Sequence, residues 1–427
     1  MTKNKVIQNA KWIIGCKIMQ SLINLFIGMV SARYLGPSGY GLINYAASVT
    51  AFVVPIMQLG LRSTLVQEFI QKPDREGEIL GTAIAMNVLS AVACMVMVVT
   101  FAGVTNRNDP AAVLVCALYS ITLLFQAIEI VQYWFQSKLK SQYPSLAMLG
   151  GYIAASIYKI YLLITQKSVY WFVLTHSIEA AIIGIALVVI YCRISDQKLR
   201  VSFPVAKELF ARSKYYIVSS LMVMVFQNTD HVMLKMMVGD VENGYYTAAV
   251  TCAGIFTFVF AAMIDSARPS VLECRRRNME EFESKLAGLY SVIIYTALLQ
   301  SIAFTLLAKP AMLILYGSAY SDSIPVLRVV VWYAAFSYMG TIRNIWILSE
   351  GKQSILWIIN LSGALANVAL NACFIPIWGA CGAALASVLT QFFTNFIIGF
   401  LMKPIRPSNR ILLKGLNPRA ILCWLKD

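Results

Sequence analysis

Charged residues are scarce in this sequence of 427 residues. Asp, Glu, Lys and Arg together make up 13% of the chain, whereas ordinary soluble domains carry about 25%. Apolar residues reach 59%, and runs of about twenty of them recur along the whole chain, the length at which a helix crosses the hydrocarbon core of a bilayer. The composition therefore excludes a soluble globular protein and predicts an all-α polytopic membrane protein.

Residues that bind metals or perform catalysis are also rare. The chain has only two histidines, His176 and His231, and its nine cysteines include no CxxC pair. Most of the cysteines lie inside apolar runs, where a cysteine behaves as a small hydrophobic residue. The polar joints between the runs contain no Walker loop, no paired catalytic carboxylates, no DxD motif and no Ser-His-Asp set. The sequence therefore predicts that the protein is not an enzyme and has neither a metal nor a cofactor.

The apolar runs predict twelve membrane-spanning helices, joined by segments too short to hold a soluble domain. The first run is too long for the apolar region of a cleavable signal peptide, so we expect it to remain as a membrane helix. The predicted helices are Ala10–Ala32, Tyr40–Gly60, Ile79–Val104, Ala111–Phe135, Ser145–Thr165, Val169–Tyr191, Lys214–Val238, Gly244–Ile264, Leu286–Ala308, Val326–Leu348, Ser354–Pro376 and Ala380–Met402.

The distribution of basic residues predicts the orientation of the chain. If the N-terminus is inside, 27 of the 35 Lys and Arg residues fall in cytoplasmic segments, seven fall outside, and Lys17 lies within the first helix. This asymmetry follows the positive-inside rule and places both termini in the cytoplasm. Anionic lipid headgroups account for the net charge of +15, so nucleic acid is not a predicted partner.

The longest joint falls in the middle of the chain and divides it into two halves of six helices. It contains the stretch FPVAKELFARSKYY, which predicts a short amphipathic helix that starts near Pro204 and turns Phe203, Leu209 and Phe210 to the membrane surface. Glycines and alanines around the first two helices recur 203 residues later around the seventh and eighth, as expected for a transporter built from a parallel repeat. The predicted divisions are an N-terminal lobe over residues 1–192, an amphipathic linker over 193–213, a C-terminal lobe over 214–402 and a basic cytoplasmic tail over 403–427.

Polar groups within the apolar helices are costly, so each of them marks a candidate functional position. Lysine supplies a point charge and arginine a bidentate fork, and both suit the oxygens of an anionic head. The two arginines proposed below lie near helix ends and have the alternative of reaching lipid headgroups, whereas the two lysines have the alternative of a buried ion pair with Glu129 or Glu179. The predicted substrate-binding residues are Lys17, Asn24, Arg33, Lys159 and Arg343.

Asp230 and His231 are the predicted ion-coupling residues. They are adjacent, and they lie about two turns from the outer end of the seventh helix, at the start of the second half. Histidine titrates near physiological pH, and a neighbouring carboxylate tunes it. The alternative is that Asp230 only pairs with Lys235 or with a base of the first helix.

Four stretches of the chain resemble the Wzx-type polysaccharide flippases of the multidrug/oligosaccharidyl-lipid/polysaccharide (MOP) exporter superfamily. RYLGPSGYG at Arg33–Gly41 is similar to the first-loop signature of that family. The stretch Glu129–Ala147 resembles its connection between the fourth and fifth helices, and Asp230–Ala249 resembles the start of its second lobe. Leu365–Gln391 resembles its late helix pair, with an asparagine-rich face and a Pro-Gly turn.

The resemblance implies two six-helix lobes around a cationic cavity in the inner membrane of a bacterium. It implies a substrate of undecaprenyl-pyrophosphate-linked oligosaccharide, which is moved from the cytoplasmic to the outer leaflet for O-antigen, capsule or exopolysaccharide. Lys17, Arg33, Lys159 and Arg343 would then hold the pyrophosphate or acidic sugars. A polysaccharide polymerase, chain-length proteins and membrane lipids are the implied partners.

Three alternatives remain open on the sequence. A drug or cation antiporter of the MATE group shares the superfamily fold, but it predicts acidic residues in the first lobe, where the first helix carries Lys17 and no acid. A lipid II flippase of the MurJ type usually has two more helices. A membrane enzyme such as a glycan polymerase normally needs a long outer loop, and every outer joint of this chain is short.

Overall fold

The structure is a computed structural model that describes residues 3–421, with all of their side chains except those of residues 3–14, 17, 18, 219, 276 and 277. The predicted substrate ligand Lys17 is among these exceptions, so its side chain lies outside the description. Within residues 3–421 the chain is helical and contains no β-strand. The chain forms two compact units, Met1–Asn228 and Thr229–Asp427, and the boundary between them falls inside one long helix.

The first unit is a bundle of membrane-length helices with shorter helical pieces at its joints. Its aromatic core lies at the end that carries the basic joints, where the Trp134 ring meets Phe135 and Tyr191 edge-to-face at 5.0 and 4.8 Å. Its helices are α1 (Lys3–Met57), α2 (Leu65–Gln71), α3 (Glu76–Thr105), α4 (Pro110–Ser120), α5 (Thr122–Ile128), α6 (Gln132–Ser137), α7 (Gln142–Ile164), α8 (Val169–Ile194) and the first part of α9 (Phe203–Val238).

The second unit has the same kind of architecture. Its core contains fully buried aromatic side chains such as Phe260, Phe282 and Trp346. Its helices after α9 are α10 (Asp240–Ala253), α11 (Thr257–Arg277), α12 (Met279–Leu315), α13 (Ser323–Val330), α14 (Trp332–Ser349), α15 (Leu356–Phe392), α16 (Ile398–Leu401) and α17 (Arg406–Gly415).

Two glycines turn single long helical runs into pairs of spans. Ten helices of the described residues are long and apolar enough to cross a membrane, and two of them, Met19–Met57 and Gln353–Leu401, have 39 and 49 residues. At 1.5 Å per residue such runs are roughly twice as long as the hydrocarbon core is thick. The helical path breaks at Gly36, with φ 67°, and at Gly379, with φ 52°, a left-handed region that glycine enters without steric cost. The predicted architecture of about twelve helices is therefore confirmed.

The fourth predicted helix, Ala111–Phe135, is confirmed as one membrane-length run, Pro110–Ser137, with local departures from α-helical hydrogen bonding. The α-helical path is interrupted at Ile121 and again by a 3₁₀ turn over Glu129–Val131. The sequence has no proline or glycine at these positions, so composition alone predicts an unbroken span there. The 3₁₀ turn therefore tightens the helix locally at Glu129, while the backbone there keeps right-handed helical angles.

The joint between the two halves differs from the predicted surface helix. It runs directly into the next span as α9, and Leu209 is 1% exposed within the core of the first unit, so the prediction that it faces the membrane surface was wrong. Phe203 is 83% exposed, as predicted. Amphipathic periodicity marks an apolar face, but it does not distinguish a protein core from a lipid surface.

Ionic and backbone contacts fasten this joint to the first unit. Buried Glu68 accepts from Arg212 at 2.5 Å and pairs with Lys72 at 3.2 Å. Lys72 also donates to Glu208 at 2.6 Å, a hydrogen bond that raises the pKa of Lys72. The Arg200 N–H donates to the Gly77 carbonyl at 3.2 Å. The joint is thus part of the first unit and not a loose connection.

Candidate functional site

Lys159 lies on α7, which packs against α8. Its side chain is half-buried, and Glu179 on α8 is the acid whose charge acts on it. His176, one turn earlier on α8, is also within electrostatic reach of Lys159, and its ring lies 5.1 Å from that of Tyr119. Of the two acids considered as ion-pair partners from the sequence, Glu179 is therefore the one near this lysine.

Of the three predicted ligands on α1, the two whose side chains are described, Asn24 and Arg33, are exposed. Asn24 lies within hydrogen-bonding reach of the Tyr152 hydroxyl on α7. Arg33 lies at the last turn before the Gly36 break, next to Tyr34, whose hydroxyl donates to the Lys167 carbonyl at 3.1 Å. The structure thus places Asn24 on the α7 side of the bundle and Arg33 at the end of the first span. Substrate binding by these two residues stays a prediction.

Asp230 is the centre of a polar cluster inside the second unit. It is 7% exposed. Its Oδ1 accepts from the amides of Asn367, at 3.0 Å, and Asn371, at 2.6 Å. Its Oδ2 accepts from the Tyr246 hydroxyl at 2.6 Å and from the Ser387 hydroxyl. We call these five residues the Asp230 cluster.

All four donors of the Asp230 cluster are uncharged. Lys235, which the sequence left open as an alternative partner of Asp230, pairs with Asp240 at 2.6 Å. Among the described side chains, Asp230 has hydrogen bonds but no ion-pair partner, and such a buried carboxylate retains an electrostatic attraction for a cation. The cluster is thus chemically suited to take up and release a small cation such as a proton or Na⁺.

His231 extends this cluster through a second set of polar contacts. Its Nδ1 lies 2.8 Å from the Asn243 side-chain oxygen and 3.3 Å from the Thr247 hydroxyl. Its ring meets Tyr246 edge-to-face at 5.1 Å. Tyr246 donates a hydrogen bond to Asp230 and also contacts the His231 ring. A change of charge at either residue therefore alters the surroundings of the other.

Arg343 is 4% exposed inside the second unit. Its guanidinium donates to the Thr394 carbonyl at 2.5 Å and to the Asn395 side-chain oxygen at 3.1 Å. Both acceptors belong to a π-helical turn, Phe393–Ile397, in which the widened hydrogen-bond pattern frees carbonyl groups for such contacts. In this structure the predicted substrate ligand is occupied by interior contacts.

The sequence indicated part of the Asp230 cluster. Asn367 and Asn371 are four residues apart, so they share a face of a helix, which is the asparagine-rich face noted in the sequence. Tyr246 and Ser387 carry no such signal, because Tyr246 lies in α10 and Ser387 lies in α15 beyond the Gly379 break, so both meet Asp230 only through folding. In the described residues no three potential metal-ligating side chains come together.

Comparisons with known proteins show the family of this chain and its fold. The chain matches the family described as "Polysaccharide biosynthesis protein" over residues 30–325. It is 22% identical over 405 residues to the capsular polysaccharide biosynthesis protein CapF of Staphylococcus aureus, covering 91% of this chain and 96% of that protein.

Two solved structures are similar in fold. An inward-facing MATE family multidrug resistance transporter of the MOP superfamily has a TM-score of 0.73 at 14% identity, covering 92% of this chain and 96% of its own. The lipid II flippase MurJ, in an inward closed conformation, has a TM-score of 0.68 at 16% identity, covering 96% of this chain and 92% of its own. Likeness at this level of identity shows the fold, which is that of the MOP superfamily.

Proposed function

Because this chain belongs to the polysaccharide biosynthesis protein family, we propose that it is a flippase for an undecaprenyl-pyrophosphate-linked oligosaccharide. The observation that carries this proposal is the family match over residues 30–325, supported by the resemblance to CapF along 91% of the chain. The flipped oligosaccharide supplies a surface polysaccharide, for which the description of CapF favours capsule over O-antigen. The site of action is the cytoplasmic membrane of a bacterium.

The polar head of such a substrate cannot cross hydrocarbon unaided, since unsatisfied polar groups are costly there. We propose that the protein works by alternating access, with the lipid tail remaining in the bilayer. Lys17 and Lys159 bind the pyrophosphate or acidic sugars as point charges, Asn24 contributes hydrogen bonds, and Arg33 receives the head near the outer end of the first span. Arg343 fits this role only in a state that frees its guanidinium.

A driven cycle needs a group that interacts differently with its ion in the two states. The Asp230 cluster provides such a group, because the buried carboxylate is held by four neutral donors. We propose that a proton or Na⁺ binds Asp230. The change in charge at Asp230 then affects His231 through Tyr246, which contacts both residues. Export of the oligosaccharide is thereby linked to the ion gradient.

Complementation of a strain that lacks its own flippase tests the substrate role of Lys159. We expect Lys159→Ala to lower surface polysaccharide at least about tenfold, because a lost charge-assisted hydrogen bond is worth about 1.5–3 kcal/mol. Lipid-linked oligosaccharide should accumulate in the inner leaflet. Lys159→Arg should retain part of the export, since it retains the charge.

Lys167→Ala is the matched control, because Lys167 is an exposed lysine just beyond α7. Western blots of membranes establish equal insertion of the three variants and the wild type. Wild-type export by Lys159→Ala would remove Lys159 from the substrate site. Failure of the wild-type chain itself to restore polysaccharide would contradict the flippase function and favour the drug or cation antiporter or the lipid II flippase.

A further inference from the structure

A polar cavity lies within the first unit at the end that carries the basic joints. Its volume is about 300 Å³, at the lower end of the range for small-molecule sites. Four of its lining side chains are primary amides and two are charged: Gln58, Asn87, Gln126, Gln132, Glu129 and Arg62. This amide cavity is separate from the Asp230 cluster, which belongs to the second unit.

The unpaired side-chain oxygen of Asn87 is a reason to expect a ligand in the amide cavity. The residue is 1% exposed, and its side-chain oxygen has no hydrogen-bond partner among the described residues. Buried polar atoms are nearly always paired, and an exception calls for an explanation. Asn87 lies in the wall of the cavity, so a bound molecule that draws its side chain inward would give this oxygen the donor that it lacks.

The interrupted fourth span shapes the same cavity. Gln126 lies at the end of α5, Glu129 starts the 3₁₀ turn, and Gln132 starts α6. All three side chains line the cavity. In a regular α-helix, side chains spaced three residues apart point in progressively different directions around the axis. A short 3₁₀ stretch inside a longer helix often marks a functional position or a strained segment.

The chemistry of the lining selects the class of ligand. A primary amide both donates and accepts, as a sugar hydroxyl does, so four amides match a ring that carries several hydroxyls. The Glu129 carboxyl group adds a further hydrogen-bonding group for a sugar hydroxyl. Arg62, at the exposed rim, suits the carboxylate of an acidic sugar.

We propose that the amide cavity is a saccharide-binding subsite, which holds one sugar unit of the carried glycan before the head crosses the membrane. This inference rests on the proposed flippase function and adds to it where the glycan is recognised. The pyrophosphate is bound elsewhere, by the basic residues, so that glycan and anion are recognised by different groups. The subsite supplies selectivity for the sugar, because an analogue lacking a hydroxyl leaves a buried amide unpaired.

Saturation-transfer NMR on the full-length protein in nanodiscs tests the subsite directly. The probes are N-acetylglucosamine, galactose and glucuronic acid, each with and without inorganic pyrophosphate. We expect at least one sugar to bind, pyrophosphate not to displace it, and Asn87→Leu and Gln126→Ala each to weaken it about tenfold through the lost hydrogen bond. Gln71→Ala, at an exposed glutamine of the same unit outside the cavity, should bind like the wild type.

Thermal unfolding of each variant shows whether it is folded. If Asn87→Leu is not folded, Gln126→Ala alone tests the subsite. The subsite is overturned if no sugar binds, if pyrophosphate displaces the sugar, or if both cavity variants bind as the wild type does. Export in cells separates this result from the flippase proposal. If the wild type exports glycan and both cavity variants export at its rate, the subsite fails and the flippase function stands; if the wild type exports none, the flippase function fails.

Discussion

Two arginines predicted to bind substrate lie in contrasting surroundings. Arg343 is buried and bonds Thr394 and Asn395, whereas Arg33 is exposed at the end of a span. A sequence shows that both charges lie near helix ends, but it does not show which one other helices cover. That distinction depends on the packing of α14 against the π-helical turn, which no local pattern encodes.

Arg343→Ala should therefore act on stability. The change leaves the Thr394 carbonyl and the Asn395 side-chain oxygen without their donor, at a cost of about 1–3 kcal/mol for each buried group. We expect a lower apparent Tm of the detergent-solubilised protein. Arg328→Ala is the control, because Arg328 is an exposed arginine of the same unit, and it should leave the Tm unchanged. An unchanged Tm for Arg343→Ala would show that the interior contacts of its guanidinium do not stabilise the fold.

Asp230→Asn tests the ion-coupling role of the Asp230 cluster. The amide keeps the size of the side chain, but it removes the negative charge and turns an acceptor into a donor that faces hydroxyl and amide donors. We expect transport in proteoliposomes to lose its response to an imposed pH or Na⁺ gradient, while glycan binding remains measurable. Asp240→Asn is the control, since Asp240 is an acid of the same unit that already has a lysine partner. Full gradient dependence in Asp230→Asn would exclude this carboxylate as the coupling group.

At the scale of elements, close backbone contacts hold the linker against the first unit. A Cβ added at Gly77 would collide with the Lys198 carbonyl oxygen, and one at Gly81 would lie 2.5 Å from that of Arg200. A side chain at either position would force the backbone to shift. The two glycines therefore fit because they are small, not because they bend the chain.

Gly77→Ala and Gly81→Ala should each release the linker from the first unit. Trypsin added to inverted membrane vesicles should then cleave after Lys198 or Arg200 faster than in the wild type, because a docked backbone resists proteolysis. Gly103→Ala is the control, since a Cβ there meets nothing within 4 Å. Equal cleavage rates in all four proteins would show that these glycines do not determine the docking.

Membrane spans could be predicted from the sequence, but their interruptions could not. Runs of apolar residues report burial in lipid or protein, and this was sufficient for twelve spans and for the breaks at Gly36 and Gly379. The 3₁₀ turn at Glu129 contains no helix-breaking residue, so it arises from tertiary packing. The amide cavity beside it was consequently absent from the sequence-based candidates, although Glu129 itself was noted.

At the scale of the whole molecule, the orientation in the membrane stays a prediction from the charge distribution. Cysteines introduced at Asn108 and Asp322, both exposed, should react with an impermeant maleimide in intact cells, whereas one at exposed Asp196 should react only after lysis. The background carries Ser at Cys192 and Cys373, the exposed native cysteines of the described chain. Labelling of position 196 in intact cells would show that the orientation is the reverse of the predicted one.

The central claim is that this protein moves a lipid-linked glycan between leaflets. The most direct measurement uses proteoliposomes that contain a fluorescent undecaprenyl-pyrophosphate oligosaccharide, with a membrane-impermeant quencher or glycosidase outside to report the leaflet. The account predicts that the purified wild-type chain transfers the glycan well above the rate of empty liposomes, and that Lys159→Ala slows the transfer while Lys167→Ala does not. Transfer no faster than in empty liposomes, under both pH and Na⁺ gradients, would contradict it.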